Sequence, residues 1–414
     1  MNDHELRIQT LARNRLFPVL LVLLTMLGPL ALSSVVPALP AIQQAFQVGT
    51  TVSQLVLSLS LFCTAAASLV YGDIADRFGR RPALIGGFVL ATVGSLLAAF
   101  GPTITMVVIG RAMQSVGAGA AYVLVRVLVT DVYGPKRATG MLGYVTAAMA
   151  LAPMVGPILG GVLVDSLGWR WIFGVLGLSA GLLLAMILVF LVETRDPGGH
   201  DEPAGGSPVL PTPTGWGSLF RRPDFVRYLI IGTTLQGTFF AFVAGAPYLL
   251  IQTFGMSATA YGTHYALVPL GFLVGSLTAG RLGGQLGNER TSSLGSIGAL
   301  IASLSALTWL SVSDTNAWAL LVPMAFGAFC AGFALPGTQT GLVNSARDQP
   351  GVASGLFSFV QMTSSALVTQ AVGMGLERIG PVAVTGTMTT LSLIGVVGFI
   401  LFTARVRLER TPAL

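Results

Sequence analysis

The chain has 414 residues, 53% of them apolar and only 9% charged, where a soluble domain carries about 25% charged residues. So few charges cannot cover the surface of a soluble protein this long, which leaves a polytopic membrane protein. The net charge of +6 is spread over separate loops and makes no nucleic-acid patch, and Cys63 and Cys330 give no disulfide framework. With only His4, His200 and His264, and no HExxH pattern, zinc hydrolase chemistry is excluded and no metal or other cofactor is expected.

Taken in order, Met1 to Leu16 carries Arg7, Arg13 and Arg15 beside Asp3 and Glu5, with no small-residue cleavage site after it. The first apolar run is therefore expected to be a retained span rather than a signal peptide. Hydropathy predicts spans near 17–38, 51–72, 83–101, 104–129, 140–164 and 171–192. After a break they resume near 226–250, 261–281, 292–312, 317–340, 352–375 and 381–404. A crossing takes about 20 residues, so the fold class is all-α with twelve transmembrane helices. The two tails and every second loop hold 18 of the 22 Lys and Arg, whereas the opposite loops hold only Arg170 and Arg378. Basic residues stay on the cytoplasmic side, so both termini are expected in the cytoplasm.

Between the sixth and seventh spans the composition turns to Pro, Gly and polar residues, which cannot bury a core. This divides the chain into 1–194, a flexible linker at 195–224, and 225–414. The halves echo one another. Gly280-Arg281-Leu282-Gly283 and the residues to Arg290 echo Gly72–Arg81 at an offset of 208, and Ala353–Val360 echo Ala138–Val145 at an offset of 215. Such a parallel repeat places a site between two similar halves.

The charge-free run from Leu16 to Gly72 ends in Gly72-Asp73-Ile74-Ala75-Asp76-Arg77-Phe78-Gly79-Arg80-Arg81. This turn resembles the signature loop of the major facilitator superfamily, and the resemblance implies two pseudo-symmetric six-helix bundles. In span 4, Arg111-Ala112-Met113-Gln114-Ser115-Val116-Gly117 is similar to the R-x-x-Q-G-x-G pattern of proton-coupled members, with Ser115 in place of a glycine. A charge at mid-bilayer costs about 2.5–3.5 kcal/mol and normally faces a cavity or a partner. Arg126, nearer the cytoplasm, is placed to snorkel. In span 5, Gly156-Pro157-Ile158-Leu159-Gly160-Gly161 resembles the G-P-x-x-G-G motif of the superfamily's exporters. Pro157 is expected to kink the helix, and the glycines to admit a neighbouring backbone.

Pro37-Ala38-Leu39-Pro40, the run Arg126 to Asp131-Val132-Tyr133, and Gly168-Trp169-Arg170-Trp171 resemble the Bcr/CflA branch of drug:proton antiporters. Two departures stand out. Ser33 occupies the position of an acid common in span 1, and Thr130 that of an arginine before Asp131. The resemblance implies an exporter of small amphiphilic compounds working by alternating access with protons as co-substrate, a monomer in the lipid bilayer, and no enzyme. An importer or facilitator of a nutrient is the alternative; a membrane-embedded enzyme lacks a nucleophile–base or metal-ligand set in the spans. Candidate substrate contacts are Ser33, Phe62, Arg111, Gln114, Gln236, Phe240, Phe326, Phe329 and Gln361. Asp76, Arg77, Arg80, Asp131, Gly156 and Pro157 are expected to govern conformational change. His264 and Asp131 are the proton-coupling candidates, His264 because its ordinary pKa lies near neutrality.

Overall fold

The computed structural model describes Leu11, Asn14 and residues 16–194, 213–312 and 317–410. Most of the expected linker, residues 195–212, and the N-tail arginines lie outside the described residues. Among those described every regular element is helical. The reason is elementary. In hydrocarbon no water satisfies a backbone N–H or C=O, so an apolar segment must close its own hydrogen bonds.

The helices run α1 (Leu16–Val35), α2 (Leu39–Phe46), α3 (Thr50–Ser53), α4 (Leu55–Phe78), α5 (Arg80–Phe100), α6 (Ile104–Ser166) and α7 (Arg170–Phe190). They continue as α8 (Pro213–Phe220), α9 (Pro223–Pro247), α10 (Ala258–Tyr265), α11 (Leu267–Val312), α12 (Trp318–Ser345), α13 (Pro350–Ile379) and α14 (Val382–Arg410). Among the described residues eleven helical segments are long and apolar enough to cross a membrane. One of them, Ala258–Val312, has 55 residues and is broken at Gly287, so it suffices for two crossings of about 20 residues each. Twelve spans result, as hydropathy predicts. Similarly, Gly134 interrupts α6 between the fourth and fifth spans (φ 66°, ψ 168°), while the backbone stays helical through Pro157, where a kink is expected from the sequence.

By its contacts the chain forms two units, Met1–Gln47 with Leu55–Pro208, and Val48–Gln54 with Val209–Leu414. In the first, α5 packs on α6 and α7, and α1 on α6. Small residues make this close. A Cβ on Gly94 would lie 2.5 Å from the Gly110 carbonyl oxygen, and one on Gly110 equally near that of Gly94. Only hydrogen lets the two backbones meet there. In the second unit α11 pairs with α12; a Cβ on Gly275 would overlap the Phe329 carbonyl, and one on Gly332 that of Phe272.

The end of the segment read as a flexible linker is ordered. α8 covers Pro213–Phe220, and Leu219 is fully buried in a core with Phe225, Leu342 and Phe357. Apolar residues among the Pro and Gly make that burial possible. A second departure is the placement of Val48–Gln54, which packs within the second unit although it opens the second hydrophobic run. Glu377 explains it: its carboxylate accepts from Thr51 N and Thr51 Oγ1, both at 2.7 Å, capping the free N–H groups of α3. Gln54 Nε2 donates to Ala244 O and Gln370 Nε2 to Thr51 O at 2.9 Å, while Ser53 Oγ lies 2.7 Å from Tyr248 Oη.

Candidate functional site

The Arg-rich turn is built around Gly79, whose φ of 99° no L side chain adopts cheaply. It ends α4 and starts α5, leaving the first N–H groups of α5 without helical partners. Glu193, just after α7, accepts from Arg80 N at 2.9 Å and Arg81 N at 3.1 Å, so a carboxylate sits at the positive end of a helix. Arg80 is 8% exposed, and its Nε lies 3.1 Å from Asp131 Oδ2, which also accepts from Thr194 Oγ1 at 3.0 Å. Arg81 Nη2 donates to Leu188 O. The structure thus brings Arg80 and Asp131 together as one ion pair, at the meeting of α4, α5, α6 and the end of α7. Asp76 and Arg77 are exposed on the last turn of α4. Glu193 and Thr194 are absent from the sequence-based set, although their position at the end of span 6, beside the loop, was a usable signal.

Deeper in the first unit, Arg111 is 2% exposed and Gln114 1%. Arg111 Nη1 donates to Gln114 Oε1, Nη2 to Ala31 O at 3.0 Å, and Gln114 Nε2 to Ser95 Oγ at 2.8 Å. One guanidinium therefore ties α1, α5 and α6 through neutral acceptors, while its Nε has no hydrogen-bond partner among the described residues. Ser33 is 8% exposed; its hydroxyl donates to Pro29 O at 2.8 Å and reaches Ala152 O at 3.2 Å. A Cβ on Gly156 would overlap that hydroxyl, and one on Gly160 the Ser34 carbonyl. The Gly156–Gly161 motif is thus the surface on which α1 lies. Phe62, on α4, is 45% exposed.

In the second unit Gln361 Nε2 donates to Gly232 O at 2.9 Å, fixing α13 on α9. Phe326 and Phe329 stack with ring centroids 6.4 Å apart, and Phe326 is 48% exposed. Phe240 is buried, edge-on to Phe239 at 5.4 Å, and Gln236 is half-buried. His264 is half-buried with Nδ1 2.7 Å from Ala260 O and its ring 5.3 Å from that of Trp318. Nδ1 therefore carries the proton towards that carbonyl.

The second unit also holds a charge cluster that sequence reading misses. Arg227, 6% exposed, pairs with Asp224 at 2.9 Å and Glu289 at 3.5 Å, and lies over the rings of Tyr228 and Phe399. Glu289 follows Gly287, which has φ 77° and ψ 163° against 99° and 158° at Gly79. These two glycines stand 208 residues apart, so the repeated loop has the same backbone turn in both units. Among the described residues no group of His, Cys, Asp or Glu is placed to hold a metal ion.

Twelve apolar crossings and a repeated glycine turn define a polytopic helical membrane protein built from two related units. The comparison with families is direct: the chain belongs to the Major Facilitator Superfamily, whose profile matches residues 21–370, and is a transporter of that type. It is 29% identical over 388 residues to multidrug resistance protein D of Escherichia coli, covering 92% of this chain and 89% of that protein. A chloramphenicol resistance protein of Pseudomonas aeruginosa is 30% identical over 307 residues, 73% and 68% of the two chains. The uncharacterized MFS-type transporter YdgK of Bacillus subtilis is 28% identical over 382 residues, 91% and 94%. Among solved structures, a bacterial homolog of the human lysosomal transporter Spinster superposes with TM-score 0.74 at 14% identity, covering 96% and 98%. A D-xylose–proton symporter gives 0.68 at 17%, covering 97% of each chain. At those identities the structures report the fold alone.

Proposed function

We propose that this transporter exports small amphiphilic compounds by alternating access, driven by inward proton flow. The observation carrying the reading is the bed that Gly156 and Gly160 make for α1 at Ser33 and Ser34, the exporter-type motif in physical use. Relatives named for multidrug and chloramphenicol resistance support the same direction. On this reading the molecule works as a single chain in a bacterial cytoplasmic membrane with both termini inside, since the basic residues gather in alternate loops. It needs no cofactor and carries out no bond-making step. Residues 1–194 and 225–414 act as the two halves. Arg80 and Asp131, with Asp76 and Arg77 nearby, form the latch that holds one conformation; Asp131 and His264 are the candidates for carrying the proton.

The candidate cargo contacts are Phe62, Arg111 and Gln114 in the first unit and, in the second unit by itself, Gln236, Phe240, Phe326, Phe329 and Gln361, mostly apolar groups with few polar anchors. Span 1 contributes Ser33 instead of an acid, so the only fixed charge in the cargo set is positive. Neutral or anionic amphiphiles are therefore preferred over lipophilic cations, because charges in a low-dielectric site act more strongly than in water.

The test is accumulation of labelled compounds, matched for shape and differing in charge, in cells with and without the protein, before and after the proton gradient is collapsed. Lower accumulation that depends on the gradient, with cations exported least, is expected. Ser33→Asp should shift export towards cations. Strong export of cations by the wild type, unchanged by that substitution, would overturn the charge preference; gradient-driven uptake would favour an importer.

A further inference from the structure

Arg111 and Arg126 are both basic residues inside the helix that forms span 4, and the fold treats them oppositely. Arg111 is 2% exposed, with its donors turned to Gln114 and Ala31 within its own unit. Arg126, fifteen residues later on the same helix, is exposed. Among the described residues no carboxylate lies within ion-pair distance of it. Its guanidinium carbon sits 5.3 Å from the centre of the Tyr122 ring.

Tyr122, Arg126 and Thr130 recur every four residues and so share one helix face. Tyr122 is half-buried and Thr130 exposed, which makes that face polar and accessible in a segment otherwise rich in Val, Leu and Ala. A guanidinium without an ion-pair partner is costly against hydrocarbon and normally turns to a cavity, a partner or the interface. Arg126 lies eight residues, or about 12 Å at 1.5 Å per residue, before the helix breaks at Gly134, so its head reaches towards the cytoplasmic end of the helix. The fork of Arg126 suits the planar or trigonal oxygens of a carboxylate or sulfonate. The Tyr122 ring beside it offers an apolar flank to the aromatic or aliphatic body of the same molecule.

We infer that Arg126 is the specificity-determining residue that recognises the anionic group of amphiphilic cargo, with Tyr122 flanking the cargo's apolar body. The inference rests on the exporter reading and deepens it: to Arg111, whose donors are turned to Gln114 and Ala31, it adds Arg126 as a second, exposed positive charge for the cargo.

The experiment compares two fluorophores of one skeleton, anilinonaphthalene sulfonate and its neutral counterpart phenylnaphthylamine. Efflux of each is followed for the wild type, Arg126→Gln and Arg126→Lys. Arg126→Gln should raise KM for the sulfonate about tenfold, the loss of roughly one charge-assisted hydrogen bond, while leaving kcat and the neutral probe unchanged. Arg126→Lys keeps the charge without the fork and should fall between. Unchanged sulfonate efflux in Arg126→Gln, or an equal fall for both probes, would overturn the assignment; an equal fall marks a structural or lipid-anchoring arginine. Equilibrium binding of the sulfonate to the purified wild type and Arg126→Gln separates the two readings. If the wild type exports neither probe, the exporter reading fails, yet weaker sulfonate binding by the variant still supports Arg126, and equal binding removes it.

Discussion

Among single residues, the charged side chains divide by what surrounds them. Arg222 and Asp348 form a bidentate pair at 2.6 and 2.7 Å between the start of α9 and the turn after α12, both open to solvent. Hydrogen bonding from Arg222 holds the Asp348 carboxyl down at about 2, from an ordinary value of 3.8, and Asp348 in turn raises Arg222. Because the folded value is depressed, the contribution of this pair is complete above about pH 4 and is lost as pH falls through about 2. Asp348→Asn should therefore lower thermal stability by the same small amount from neutral pH to pH 5, with the difference from wild type shrinking below about pH 4. A difference that grew in acid would contradict the pairing. Arg80 and Arg227, by contrast, are buried among carboxylates, so removing one partner would strand a charge away from water.

At the level of elements, the spans are ordinary apolar helices made specific by where a side chain is missing. Gly94 and Gly110 let α5 and α6 touch backbone to backbone, whereas Gly86 on the same α5 has nothing within 4 Å of an added Cβ. Gly110→Ala should destabilise the purified protein by about 1–3 kcal/mol through overpacking. Gly86→Ala should leave it equal or slightly more stable, since alanine restricts the unfolded chain. Thermal unfolding in detergent compares them, and equal stability of the two variants would contradict the close approach of α5 and α6. The linker teaches the converse: Leu219 and Phe225 anchor α8 and the start of α9 in a core, where composition alone suggested a flexible strand of chain.

For the whole molecule, the Arg80–Asp131 pair gathers the α4–α5 turn and the end of span 4, with Glu193 and Thr194 closing it from the end of α7. On the alternating-access reading proposed above, helices joined in this way would move as one unit. Asp131→Asn should slow turnover several-fold while leaving the affinity for cargo nearly unchanged, because the pair lies in the turn and not among the proposed cargo contacts. Transport rates and equilibrium binding measured on the same preparation separate the two quantities. Unaltered turnover would remove this pair from the conformational cycle.

Much of the architecture was legible before any coordinates. Hydropathy marks each crossing because the need to satisfy backbone groups in lipid is local to the segment. The sequence echo at an offset of 208 residues is met in the structure by Gly79 and Gly287, both at a positive φ that glycine adopts most easily. The choice of partner was not legible. Glu193 caps helix N–H groups 112 and 113 residues earlier in the chain, Glu377 caps Thr51 across 326, and Arg227 gathers Glu289 from another helix. The sequence sets Arg111 at mid-bilayer and Arg126 nearer the cytoplasm, but it does not say which of the two faces its own unit. Burial of the first and exposure of the second depend on which face of that helix its neighbours cover, and only the tertiary packing decides that.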